Sequence, residues 1–179
     1  MSDISLLGLS GSLRAGSCNT KLVREAARVF APASFTLADL NLPLYDGDVQ
    51  AEGIPAAVQT LADQIAAADA VLVSTPEYNK GISGVLKNAL DWVSVTDGKP
   101  WNDKPVAILS AAAGRAGGER AQAMLRWCLV PFRPRLLPGP EVFVAQCGKA
   151  FDEEGLLIDA GAQKFLAELM EGLRVEIGR

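Results

Sequence analysis

The chain has 179 residues, 49% of them hydrophobic, enough for one domain over 1–179 with a sizeable core. Its 17 basic and 21 acidic residues leave a net charge of −4, which argues against nucleic acid as a partner, and no apolar run approaches the roughly 20 residues of a membrane span. Histidine is absent, which removes Ser-His-Asp and Cys-His catalysis and the commonest transition-metal ligand.

Ile4 to Ser10 reads as a first strand, an apolar run ending in glycine and serine. Asn19 or Thr20 is placed to cap a helix through Phe30. Ser34 to Leu40 reads as a second strand, and Asn41 to Asp46 as a loop. Pro55 suits the first turn of a helix that runs to about Ala68. Ala70 to Thr75 reads as a third strand, and its continuous apolar run Ala70-Val71-Leu72-Val73 fits a parallel strand covered on both faces. Ser83 caps a third helix through Trp92. Val106 to Ser110 is a fourth strand, followed by a glycine-rich loop and a helix over about 118–130. Glu141 to Ala145 is a fifth strand, Asp152 to Gly155 a polar turn, and a last helix spans about Ala160 to Leu173. This strict alternation predicts an α/β fold with a parallel sheet between two helical layers. Five strands in this length fit the flavodoxin-like order 2-1-3-4-5 better than a six-stranded Rossmann order.

In such a sheet, ligands bind beyond the carboxyl ends of the strands at the switch point. Three loops end there. The first, Ser10 to Asn19, holds two glycines, three serines and Arg14 at the start of a helix. Converging amides, the positive end of the helix, hydroxyls and a guanidinium make a cradle for a monophosphate. The G-x-x-x-x-G-K-[ST] motif fails, because Ser17-Cys18 stands where Lys-Ser/Thr is needed, and G-x-G-x-x-G is also absent. The second loop, Thr75 to Gly84, offers Tyr78, Asn79 and exposed backbone suited to the edge and face of a flat heteroaromatic ring. The third, Ser110 to Arg120, is rich in alanine and glycine and lets backbone approach a ring closely. Read as ordinary turns, the second and third loops are strand-to-helix connections and nothing more.

Cys18, Cys128 and Cys147 are odd in number and widely spaced, so neither a disulfide framework nor a zinc site is indicated. Cys18 opens a helix beside Arg14, where a redox role is conceivable, but a small residue in a crowded loop is the simpler reading. Cys128 sits in an apolar stretch and reads as core. No basic segment followed by an apolar run and a cleavage site opens the chain, so a cytoplasmic location is expected.

Three segments resemble the NAD(P)H-dependent FMN reductase family, flavodoxin-like enzymes that include quinone and chromate reductases. Gly11-Ser12-Leu13-Arg14-Ala15-Gly16-Ser17-Cys18-Asn19 is similar to G-S-x-R-x-x-S-x-N. Thr75-Pro76-Glu77-Tyr78-Asn79 with Leu86-Lys87-Asn88-Ala89-Leu90-Asp91-Trp92 is similar to T-P-E-Y-N…L-K-N-A-[IL]-D-W, and Gly117-Gly118-x-Arg120-Ala121-Gln122 follows the fourth strand. The resemblance implies FMN held non-covalently, with NADPH or NADH as co-substrate. Ser10, Ser12, Arg14, Ser17 and Asn19 would take the phosphate, with Cys18 and Thr20 beside them. Pro76, Glu77, Tyr78, Asn79 and Gly81 would flank the isoalloxazine, and Ser110 and Gly114 would approach it from the other side. Ala111-Ala112-Ala113 departs from the family's polar loop at that point. No metal and no catalytic side chain are implied, because flavin N5 carries the chemistry.

The family also forms homodimers or homotetramers through the third and fourth helices, which makes Trp92 and Trp127 candidate interface residues. The activity implied is hydride transfer from nicotinamide to FMN. Electrons then pass to a small-molecule acceptor (a quinone, flavin, azo compound or metal oxyanion) in ping-pong order. Arg14 or Arg115 would suit the 2′-phosphate of NADPH. The alternatives are a flavodoxin-type electron carrier, a flavin-binding regulatory module without turnover, and a dinucleotide-binding Rossmann enzyme.

Overall fold

A computed structural model describes residues 4–179; residues 1–3 of the expected domain lie outside the described residues. The elements run β1 (Ser5–Ser10), α1 (Cys18–Phe30), β2 (Ser34–Leu37), α2 (Gly47–Glu52), α3 (Ala56–Ala67), β3 (Ala70–Thr75), α4 (Gly84–Ser94), β4 (Pro105–Ala111), α5 (Glu119–Leu129), β5 (Arg135–Leu136), β6 (Val142–Val144) and α6 (Ala160–Ile177). The sheet order is β2-β1-β3-β4-β5, all parallel, with β6 also paired to β4.

The period-2 alternation of the three inner strands sorts their side chains into two cores. Leu6, Leu72, Ala107 and Leu109 face α1 and α6, where they meet Leu22, Ala26, Leu166 and Leu173. Leu7, Leu9, Val71, Val73, Val106 and Ile108 face the other layer, against Leu61, Ile65, Leu86, Leu90 and Leu125. Both faces of β3 and β4 are therefore dry, which is why those segments read as unbroken apolar runs. Truncating a wholly buried member such as Leu72 to alanine costs about 2–5 kcal/mol.

The structure departs from the sequence reading at several places. The expected fifth strand is β6, the second half of an edge strand. Pro138-Gly139-Pro140 separates it from β5, and two prolines without N–H groups interrupt the ladder. β2 stops at Leu37 rather than Leu40, and the extra short helix α2 occupies part of the stretch before Pro55. Ser17, rather than Asn19 or Thr20, caps α1: its Oγ accepts from the N–H groups of Asn19 and Thr20.

Trp92, a candidate interface residue, is wholly buried inside the protomer. Its Nε1 donates to Pro43 O at 2.8 Å, and Asn88 Nδ2 donates to the same oxygen at 2.9 Å. Tyr45 meets the Trp92 ring edge-on at 5.1 Å. The L-K-N-A-L-D-W segment thus fastens the loop before α2. No helix among the described residues is long and apolar enough to cross a membrane.

Candidate active site

The loops after β1, β3 and β4 surround one cavity of about 540 Å³ at the carboxyl edge of the sheet. Its wall takes Ser12, Arg14, Ser17, Cys18 and Asn19 from the first loop and Pro76, Glu77 and Tyr78 from the second. The third supplies Ala111 through Gly118 and Arg120, and Cys147 adds a side from beyond β6. A volume of this size suits a cofactor.

The first loop leaves donors free. Ser17 Oγ accepts two backbone N–H groups as the helix cap, so its own hydrogen is available to a ligand. Among the described residues, the N–H groups of 12–16 reach no protein acceptor. With the exposed guanidinium of Arg14 and the N-terminus of α1, these form a donor set for a phosphate dianion.

Asn19 does something else. Its Nδ2 donates to Ala111 O, while its Oδ1 accepts from Ala111 N–H and from the Ser74 hydroxyl. Its amide, expected on the phosphate, is consumed in joining α1 to β3 and β4. Ser10 and Thr20 also lie behind the wall: their hydroxyls share a hydrogen bond of 2.8 Å with each other.

The second loop is a tight hairpin. Tyr78 and Gly81 exchange two backbone hydrogen bonds of 3.0 Å, and the residues between them, Asn79 and Lys80, both have positive φ, as a type I′ turn requires. Asn79 is a turn tip and does not line the cavity. Nor does Gly81, which packs on α5; a Cβ there would stand 2.8 Å from Met124 Sδ. Pro76, Glu77 and Tyr78 face the cavity. Glu77 accepts from Arg120 N–H at 3.2 Å and from its guanidinium at 3.3 Å, tying this hairpin to the start of α5.

The third loop is held from beneath. Ser110 is fully buried; its Oγ donates to Gly117 O at 2.7 Å and accepts from Gln122 Nε2 at 2.9 Å. Gln122 also donates to Val142 O at 2.8 Å, so one side chain spans β4, β6 and the loop. Ser110 was expected against a ring and instead supports the backbone that lines the cavity, whereas Gly114 does line it. At Gly118, with φ 98°, a Cβ would fall 2.7 Å from Ser110 Cβ, so this close approach needs glycine.

Sequence reading missed Gln122 as a support and Cys147 as a wall residue. Burial first, then the neighbouring thiol of Cys18, pushes Cys147 up to about 12. Cys128 is also raised by burial, on the opposite core.

The sequence profile of the NADPH-dependent FMN reductase family matches residues 4–149. The chain is 45% identical to an NAD(P)H-dependent FMN reductase of Pseudomonas aeruginosa, over 99% of this chain and 97% of that one. It is 41% identical to a quinone reductase of Escherichia coli, over 88% and 87% of the two chains. The structure of FerB, a flavoenzyme NAD(P)H:(acceptor) oxidoreductase from Paracoccus denitrificans, superposes with a TM-score of 0.87 at 31% identity, covering 98% of this chain and 97% of that one.

Proposed function

The chain belongs to the NADPH-dependent FMN reductase family, and from that premise we propose that its cavity holds FMN phosphate-first against α1. There it reduces quinones and related small acceptors with NAD(P)H in ping-pong order. The chain is an NAD(P)H-dependent oxidoreductase that uses FMN, rather than the carrier or the module without turnover that its sequence left open. FMN, when bound there, would supply the redox chemistry, a two-electron transfer between nicotinamide and acceptor.

The residues bind, orient and shape. Ser12, Arg14 and Ser17, with the unpaired N–H groups of the first loop, neutralise and fix the phosphate. Pro76 to Tyr78 and Ala111 to Gly114 form the walls for the flat ring system. The small side chains of the second set leave the ring open to a second planar molecule. Arg115 and Arg120 place positive charge in the same wall, suited to the phosphates of the nicotinamide donor. Glu77 is held by Arg120 and acts as a tie between loops, since hydride transfer needs no acid or base side chain. Donor and acceptor use one opening in turn, which accounts for both the kinetic order and a loose acceptor range that extends to azo compounds and metal oxyanions.

The whole chain acts as one domain, and it works as a homo-oligomer. Met124, Trp127 and Val130 are 40%, 78% and 63% exposed at three-residue spacing along α5 and the turn after it, an apolar stripe suited to a second copy of this chain.

The observation that carries this reading is the meeting of all three loops around one cavity with the phosphate donors in its wall. It is tested by the visible spectrum of purified protein, followed by anaerobic addition of NADPH and then NADH. A yellow protein bleached by either donor, with parallel initial-rate lines at several quinone concentrations, supports it. A colourless protein that takes up no FMN overturns it, and intersecting lines overturn the kinetic order.

A further inference from the structure

Cys18 opens α1, and Cys147 opens a short 3-10 turn (Cys147–Lys149) after β6. They are far apart in the chain, and the end of β4 brings them together. Asn19, next to Cys18, is clamped to Ala111; the next carbonyl, that of Ala112, accepts from Cys147 N–H at 3.1 Å. Both cysteines line the same cavity, both are half-buried, and both pack on the core beneath α1 and α6. Cys147 and Cys18 are neighbours in the cavity wall, close enough for one thiol to perturb the other, and both are free thiols. Cys128 packs on the other core and takes no part.

We propose that Cys18 and Cys147 are an oxidisable dithiol site in the cavity wall, which a hydroperoxide converts to an intramolecular disulfide and a small thiol restores. Cys18, the first residue of α1 and open to the cavity, is the attacking sulfur. Cys147, across the same wall and anchored to Ala112 O by its N–H, is the resolving partner. The Cys18 thiolate attacks one peroxide oxygen, the O–O bond breaks, and the leaving oxygen takes a proton as water or alcohol. The Cys147 sulfur then displaces the sulfenic oxygen, which leaves as water with the Cys147 hydrogen. Two electrons pass from the sulfur pair to the peroxide, two S–H bonds are lost and one S–S bond forms.

The test treats the full-length protein with hydrogen peroxide, blocks remaining thiols with N-ethylmaleimide and maps peptides without reduction. The expected result is one cross-linked species joining the Cys18 and Cys147 peptides, lighter by two hydrogens, with Cys128 alkylated and the link undone by dithiothreitol. In Cys147→Ser the link disappears and Cys18 is trapped as a sulfenic acid by a 1,3-diketone probe. Separately oxidised Cys18 and Cys147 with no link, or a link through Cys128, overturns the proposal. A Cys147→Ser protein whose Cys18 resists the probe overturns the assignment of the attacking sulfur.

Discussion

Asn19 and Ala111 exchange a reciprocal pair of hydrogen bonds: Nδ2 donates to Ala111 O at 2.9 Å, and Ala111 N–H donates to Oδ1 at 3.0 Å. A strand neighbour would normally occupy that place. β3 has ended at Thr75, and Pro76 has no N–H to offer, while the Ala112 N–H turns the other way to Val144 O. The side-chain amide of α1 completes the ladder and, in doing so, sets the donor-rich first loop at a fixed distance from the wall formed by β4.

Replacing Asn19 with alanine leaves both Ala111 groups and the Ser74 hydroxyl without their partner. The expected loss is about 3 kcal/mol, in the range for buried polar groups left unpaired, read from urea unfolding. Asn19→Asp should be no better, because a carboxylate cannot donate to Ala111 O. A variant as stable as the parent contradicts the role assigned here.

The cradle residues separate by their dual or single duties. Arg14→Ala and Ser12→Ala should each weaken FMN binding by about 1–3 kcal/mol and leave the unfolding midpoint unchanged. Ser17→Ala should weaken binding and also lower stability by about 1 kcal/mol, because it removes the helix cap. Flavin fluorescence titration and denaturant unfolding measure the two effects. Unchanged flavin affinity in both Arg14→Ala and Ser12→Ala would put the phosphate elsewhere.

Gly118→Ala forces a Cβ into a left-handed backbone against Ser110. The expected cost is about 1–3 kcal/mol, visible as a lowered Tm, with flavin affinity reduced because the loop held by Ser110 and Gln122 lines the cavity. A neutral substitution would mean that the loop shifts freely.

Asp69 carries a pH-dependent contribution. The Ser5 backbone N–H donates to its carboxylate at 2.7 Å and the Ser5 hydroxyl at 2.8 Å, which holds the carboxyl below its ordinary range, the backbone bond first. A carboxylate depressed in the folded state stabilises above its unfolded pKa and loses that contribution as the pH falls through its folded value. Asp69→Asn should therefore cost no more than about 1 kcal/mol at neutral pH, since the group is exposed and screened. The difference should shrink in acid below the ordinary carboxylate range. Unfolding of parent and variant across that range is the measurement, and a constant difference would sink the assignment.

Under the proposed pairing of two copies through α5, Trp127→Arg should shift the protein towards monomer in sedimentation experiments, because it places a cation in the apolar stripe of Met124, Trp127 and Val130. Trp92, wholly internal, is the contrasting position: its loss should reduce stability through the Pro43 anchor.

The alternation of apolar strands with capped helices contains the layers, the parallel sheet and its order, because period and length are local properties that burial on both faces rewards. The same holds for the three loops: glycine, serine and arginine at strand ends mark a donor-rich edge of the sheet before any contact is known. Pairings between distant segments were not legible. Ser10 and Ser110 carry hydroxyls of the kind a ligand would use, yet one is spent on Thr20 and the other on Gly117 and Gln122. Asn79 and Gly81 look like ring contacts and prove to be the tip and base of a hairpin.

The sequence by itself determined that this chain builds a parallel sheet with donor-rich loops at one edge, because each strand, cap and turn is specified within a few residues. Only the tertiary structure decided which polar groups remain free for a ligand. A donor is available only after every neighbour brought by the fold has taken its hydrogen bonds, and those neighbours lie as far off as Ala111 is from Asn19.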